Sequence, residues 1–538
     1  MKKERLLLVP LAVLLSVSLS SCGKKKGMSH DVDGKAIINI ANYDGGVGYD
    51  WINVIVNRLN TQFADYQDDT LKAKGLKGVY FNVDTNTSYY GQKLESGGLI
   101  ADIYFTEMVD YAFLARKGLF LDVSDVIKES LEEFGDTGSI EDKLDPSMRA
   151  YLQCINNAYY GLPFYEGFYN MIYDVDVFDA NTAFFNKSGE ISETSSSDNL
   201  SAGPDNVEGT WDDGLPRTYA EFNMLMDYLG GSYTNIALAK NALSYANRYL
   251  QNLYVNYEGK EQALLNYTFS GTAEHLVDSF DEHNNPIISS RAINSYADGV
   301  ELQRQAGKYY ALDFMENYLL KDGNLTTGGS DIEIFKDFIN TKYNSSSKQN
   351  SYACMIDGSW WENKAKSTLQ SDEARGGGKL NRRFGILPAP KINAGELGKK
   401  QTCVSLNSAF CFVSANTVYP QLAKKVFKAF HTQQSLSTFT SSTSMTRAFN
   451  YTLTSEDLAN TSYFAKQLID MKNTYDVVYP VSSVAQAINK KSDFNMEKYP
   501  WSISAYVANP FGELLNGNET SISYFQKMYT YAKGWWGQ

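Results

Sequence analysis

The sequence predicts an α/β protein of mostly parallel sheets covered by helices, in a chain long enough for two or more lobes. Three observations predict it. Short apolar runs alternate with segments of helical spacing near the start of the chain, the β-α-β-α rhythm of a parallel sheet. At 538 residues the chain exceeds what a single hydrophobic core usually fills. No repeat of roughly 20 to 50 residues is visible, which sets aside solenoids and propellers.

"KAIINI", at 35–40, reads as a strand. Apolar residues then fall at Trp51, Ile55, Leu59 and Phe63, an i, i+4 stripe with Asp50 as its N-cap. "GVYFNV" and "ADIYFT" read as further strands. "SYYGQKLESGG" between them and "EMVDYAFLARKGLF" after them read as helices, the second ended by Gly118. Ligands of such sheets sit at the carboxyl ends of the strands. The 42–48 loop and the turn at 106–107 therefore face whatever is bound. Residues 186–215, polar and rich in Ser and Gly, read as a surface excursion. "AEHLVDSFDEHNN" reads as a solvated acidic helix end, "DIEIFKDFIN" and "YPQLAKKVFKAFHT" as helices, and "CVSLNSAFCFVSAN" as one long strand-like run.

The residues ahead of the first strand address the chain. Lys2, Lys3 and Arg5 precede an apolar run from Leu6 to about Val17, the layout of a secretory signal over 1–21. The run is too short to span a bilayer, which takes about 20 residues. Leu19, Ser20 and Ser21 before Cys22 resemble a bacterial lipobox, in which the Cys22 thiol is acylated and 22–35 becomes a polar tether. The expectation is an extracytoplasmic protein, lipid-anchored to the outer face of the cell membrane.

Export bears on the loop "DGGVG". Strand, glycines and helix form the layout that cradles phosphates, yet ATP and NAD are scarce outside the cytoplasm. The G-x-G-x-x-G order is missing, and no GK[ST] follows. In "RGGGKLNRR" Leu380 stands where a Ser or Thr would bind the metal, so this reads as a solvated loop. Gly45, Gly46 and Gly48 are expected to bring backbone amides close to a neutral, hydroxyl-rich ligand; the alternative is a tight turn under the cleft with no ligand contact.

Composition narrows the ligand. A formal charge of −13 argues against nucleic acid, whose phosphates it would repel. The 38 Tyr, 28 Phe and 7 Trp suit ligands that are half polar and half apolar, as sugars are, although packing accounts for most individual rings. Cys154, Cys354, Cys403 and Cys411 form no C-x-x-C pair and read as buried thiols. His30, His275, His283 and His431 show no metal spacing, and neither metal nor cofactor is expected.

Several segments, in order along nearly the whole chain, resemble the extracellular sugar-binding proteins of ATP-binding-cassette importers: "YDGGVGYDWINVIVNRLNTQF", "ADIYFTEMVDYAFLARKGLFLDVSDVI", "YYGLPFYEGFYNMIYDVDVF", "LPRTYAEFNMLMDYL", "ACMIDGSWWENKA", "RRFGILPAPK" and "FVSANTVYPQLAKKVFKAFHTQQSLSTFTSST". Tyr219 stands where the family more often has Trp. The resemblance implies a two-lobed periplasmic-binding-protein-like fold of type II, with a hinge and a ligand cleft between the lobes. It implies a first lobe over 36–163 plus 402–442 and a second over 164–401 plus 443–538. A monomer that passes carbohydrate to membrane permease subunits follows.

Candidate contacts come from the resemblance and from where the loops point. Trp360 takes the position at which a relative stacks tryptophan on sugar, with Asp357 beside it for hydroxyls. Trp360 and Trp361 are adjacent, so only one of them meets the cleft if both lie on a strand. Tyr43, Asp44 and Glu107 are candidates from the first lobe, Tyr165 and Glu166 from the crossing. Asn407 and Tyr245 come from matching family segments, and Arg447 and Trp501 are further possibilities. A surface glycoside hydrolase would need two carboxylates about 5 to 10 Å apart. The chain has 62 acids but no catalytic motif, so a non-enzyme is expected. A peptide or polyamine ligand on the same fold stays open.

Overall fold

The computed structural model describes residues 30–84, 94, 96–107, 109–341, 351–372, 378–406, 409–489, 501 and 508–536. The signal segment, Cys22, Asn407 and most of the helix expected at 88–98 lie outside them.

Two mixed sheets organise the chain. The first runs through Val79–Asp84, Lys35–Asn42, Ile103–Thr106, Phe410–Val413 and Leu162–Pro163, with a short strand, Asp31–Val32, turned back antiparallel on Lys35–Asn42. The second runs through Leu325–Gly328, Thr234–Ala239, Tyr352–Gly358, Tyr169–Asp174 and Phe384–Leu387. Each sheet places its second strand outside its first and its third on the other side of the first. An antiparallel strand that has just crossed from the other sheet comes next, then a last strand parallel to the first three. The two sheets thus share one topology, and their parallel strands end at Asn42, Asp84 and Thr106 in one and at Ala239, Gly328 and Gly358 in the other.

Packing explains the elements beneath those ends. In helix Asp50–Gln62 the side chains of Trp51, Ile52, Ile55, Val56 and Leu59 are buried. Trp51 meets Phe105 of the sheet and Phe439 of helix Gln433–Thr443 with ring centres 5.1 and 5.2 Å away. The N-cap is Tyr49, without a side-chain bond; Asp50 lies inside the first turn, where a carboxylate suits the positive end of the helix dipole. Gly118, with φ +66°, follows helix Tyr111–Arg116, and Ser330 with Glu333 closes a capping box on helix Asp331–Ile339.

Three regions depart from the sequence reading, and a fourth adds to it. "AEHLVDSFDEHNN" belongs to a hairpin, Gly271–Phe280 with Pro286–Ile293, whose two register shifts turn Ala273, Leu276 and Val277 to one face although their i, i+3, i+4 spacing is that of a helix. "CVSLNSAFCFVSAN" splits in two: Thr402–Val404 pairs in parallel with Asp476–Val478, while Phe410–Val413 joins the first sheet. The excursion at 186–215 lies largely at the surface, as read, and is anchored there: Asp212 is fully buried, and Tyr475 donates a hydrogen bond of 2.7 Å to its Oδ2. In "RGGGKLNRR" Arg382 is fully buried and paired with Asp174 and Asp372. The cysteines Cys354, Cys403 and Cys411 are buried free thiols, and Cys154 is a half-buried one.

Candidate ligand-binding cleft

The carboxyl edges of the two sheets face each other. After Asn42 the chain makes a turn in which the amides of Val47 and Gly48 donate to the Asp44 carbonyl, at 3.1 and 2.9 Å. Of the three glycine amides expected to approach a ligand, that of Gly48 is used within the loop. The glycines serve approach instead. Gly46, at φ +89°, lies against Trp360, where a Cβ would come within 3.6 Å of Cδ1.

Trp360 is half-buried and packs against both hydrophobic cores. It stands edge-on to Tyr169 and Tyr245, with ring centres 5.1 and 5.8 Å away. Tyr169 and Tyr245 are themselves 5.0 Å apart, so three rings form one corner. The Arg248 guanidinium lies over Tyr169 and Tyr245, at 4.8 and 5.7 Å, and donates to the Tyr169 hydroxyl. Trp361 is fully buried against Phe338, Phe384 and Phe464. The two tryptophans diverge because they open a helix, Trp361–Lys364, rather than alternating on a strand, which ends at Gly358.

Beneath the corner, Asp357 is buried, and that burial pushes its carboxyl up to about 7 against the pull of Lys364. Burial opposes the charge on Lys364, yet Asp357 and Asp331, the latter 2.7 Å from Nζ, hold its amine above the usual lysine range. On the opposite wall Tyr165 donates to the Glu107 carboxylate, while burial and that carboxylate push the phenol well up. Tyr43 folds over Gly45, and Asp44 is raised by burial and by Asp50. The structure thus brings Trp360, Tyr245 and Asp357 together on one wall, and Tyr43, Asp44, Glu107 and Tyr165 on the other.

Glu166 is not among them. It is fully buried, ion-paired with Lys472 and within 3.4 Å of the Tyr479 hydroxyl, and so braces the crossing. Arg447 is also fully buried, donating to the carbonyls of Phe164, Phe430 and Pro163 at 2.6, 2.9 and 3.0 Å. Its contact with His431, whose Nε2 must accept, joins burial in pushing that imidazole well below its ordinary value. Trp501 is fully buried against Tyr254. Sequence reasoning missed Tyr169, Arg248, Asn363 and Lys364. Arg248 stands three residues after Tyr245, a spacing that puts both on one helix face.

Solved structures of similar fold include SBP RafE in complex with raffinose, 14% identical, covering 92% of this chain and 98% of that one at a TM-score of 0.52. The apo-form of RafE from Streptococcus pneumoniae is 13% identical over 93% and 98%, at 0.51. A chitin oligosaccharide binding protein is 14% identical over 92% and 98%, also at 0.51. The chain has the two-lobed periplasmic-binding-protein fold. No protein-family model matches it, and no curated protein matches its sequence. Among the described residues no cluster of His, Cys, Asp and Glu could hold a metal ion.

Asp357 gives the folded protein a pH signature. Its folded value of about 7 exceeds the ordinary 3.8. A raised carboxyl favours folding fully below the unfolded value, and that favour is lost as pH climbs from about 4 to about 7. Melting midpoints should therefore fall across this window, with a slope of up to about 1.4 kcal/mol per pH unit from this group. Asp357→Asn should flatten its share. Asp212, also pushed up to about 7 by burial, and the raised Glu166 and Glu362 carboxyls keep their own shares. A variant whose pH profile overlays that of the natural chain would place the buried proton elsewhere.

Proposed function

We propose that the chain captures a carbohydrate, an oligosaccharide by the extent of its aromatic corner, and presents it to the permease of an ATP-binding-cassette importer. One observation carries this reading: half-buried Trp360 and Tyr245 form an aromatic corner on the buried Tyr169, on the sheet edge opposite Tyr43, Asp44 and Glu107. Rings pack the C–H faces of a sugar, while carboxylates accept its paired hydroxyls. The fold neighbours support the reading, one in complex with raffinose and another a chitin oligosaccharide binding protein.

On this reading the first lobe spans 36–163 plus 402–442 and the second spans 164–401 plus 443–538. Cys22 carries the lipid, and the protein works at the outer face of the membrane without catalysing a reaction. No helix among the described residues is long and apolar enough to cross a membrane. A ligand that touches both lobes shifts the population toward the closed form.

A melting screen of the tether-free domain against raffinose, chitin oligosaccharides, peptides and polyamines tests this. A ligand that binds only the folded state raises the midpoint by RT ln(1 + [L]/Kd). The expected result is a rise with an oligosaccharide at a Kd near 1 μM, roughly −8 kcal/mol. A rise with peptides or amines alone would defeat the sugar assignment, and new reducing ends from an oligosaccharide would make the chain a hydrolase.

A further inference from the structure

A second polar site lies on helices that cover the first sheet. Arg58, Thr61 and Gln62 stand at i, i+3 and i+4 on helix Asp50–Gln62, so their side chains share one face. Arg58 is about 12 Å along that helix from Asp50, well away from the facing sheet edges. Its face borders a groove of about 410 Å³, lined also by Phe134 and by Thr432 and Gln434 at the start of helix Gln433–Thr443. The guanidinium is fixed in direction. Ser435 is fully buried and gives its own hydroxyl proton to the Ala429 carbonyl at 2.6 Å, so its oxygen accepts from Arg58 Nη2, also at 2.6 Å. That is the only hydrogen bond Arg58 makes among the described residues, which leaves Nε and Nη1 as donors.

Charge around the guanidinium is unbalanced. No carboxylate pairs with it among the described residues, and burial pushes it below the usual arginine range against the pull of Asp457. Asp457 is engaged elsewhere, accepting from the Thr454 and Ser441 hydroxyls at 2.9 and 2.8 Å. Asp136, beside the first turn of helix Gln433–Thr443, is engaged too: its Oδ2 takes Lys143 at 2.9 Å and the Gln433 amide at 2.6 Å. A part-buried cation without a counter-ion is destabilising, and an anion seated beside it relieves that. The start of helix Gln433–Thr443 adds its positive end to the same groove. The arginine fork meets two oxygens of an anion, and Thr61, Gln62 and Gln434 bring further polar groups, which suits a phosphate with more oxygens to satisfy. We propose that Arg58, with Thr61, Gln62 and Gln434, binds the phosphate group of a ligand distinct from the one in the cleft. Phosphate is the chemistry shared by two sources, a soluble phosphate ester and the head group of an anionic lipid. The groove's volume falls within the roughly 300 to 1,000 Å³ of small-molecule sites.

The test compares the natural chain with Arg58→Gln and Gln434→Glu, each on the whole extracytoplasmic domain. Calorimetric titration with inorganic phosphate and glycerol 3-phosphate, at constant ionic strength, reads the soluble source. The natural chain should bind with a Kd of about 1 mM, and Arg58→Gln at least about tenfold more weakly. Gln434→Glu leaves Arg58 and Ser435 in place but sets a carboxylate on the rim, and should weaken binding about fivefold, more at low salt than at high. Flotation with phosphatidylglycerol vesicles, against phosphatidylcholine vesicles, reads the lipid source. Flotation on phosphatidylglycerol that inorganic phosphate displaces assigns the head group, and titration without flotation assigns the soluble ester; either supports the site. Binding that both variants share with the natural chain, or none from either source, overturns it. Raffinose titrations should be the same in all three chains, and a difference there would join Arg58 to the cleft and overturn a separate site. Should Arg58→Gln fail to fold, Gln434→Glu decides, because Gln434 is exposed and its change leaves the packing intact.

Discussion

Glu166→Gln lowers the stability of the folded protein by about 3 kcal/mol, because it strands the buried Lys472 ammonium. Glu166 and Lys472 are both buried, and the lysine also donates to the Arg447 and Phe449 carbonyls and lies 4.8 Å over the Tyr451 ring. Burial pushes the Glu166 carboxyl up and the Lys472 amine down, each opposed by its partner, so neither charge is comfortable alone. Pairing Glu166→Gln with Lys472→Met should restore much of the loss, since replacing a whole buried pair costs far less than breaking it. Denaturant titration reads both outcomes. A double variant no more stable than the single one would place the strain in the Tyr479 contact instead.

Trp360→Ala weakens carbohydrate binding about thirtyfold, roughly 2 kcal/mol, while leaving the fold nearly intact. The ring is half-buried and supports both Tyr169 and Tyr245, so its loss removes one stacking surface and loosens two others. Its neighbour supplies the control. Trp361 is fully buried among Phe338, Phe384 and Phe464, and Trp361→Ala should cost about 3 to 5 kcal/mol of stability through the cavity it leaves. Titration by intrinsic fluorescence or calorimetry separates the pair. Unchanged affinity in Trp360→Ala would return that ring to packing.

The sequence announced what local pattern controls. Strand ends and helix starts place Tyr43, Asp44, Glu107 and Trp360 at the facing edges, because parallel strands deliver their carboxyl ends to one side. Glu166 was misread because its burial depends on Lys472, brought to it from far along the chain by helix Tyr463–Thr474. Arg447 misled for the same reason, its guanidinium being consumed by carbonyls of the crossing. The hairpin at 271–293 escaped because Ala273, Leu276, Val277 and Phe280 fall at i, i+3, i+4 and i+7, a helical spacing that two register shifts accommodate in a strand. The excursion at 186–215 hid its anchor, since a lone buried Asp in a polar stretch carries no mark of its partner, Tyr475.

The strand order of the first sheet also bears on how the protein reaches this state. Phe410–Val413 lies between Ile103–Thr106 and Leu162–Pro163, so the sheet keeps a gap until the chain has traced most of the second lobe. Such distant pairings are slow to form, because the loop must close before its contacts stabilise it. A half-made first sheet presents two unpaired edges meanwhile, the surfaces on which other chains assemble into aggregates. The exposed edges of the unfinished sheet are therefore a consequence of its strand order, independent of what the cleft holds.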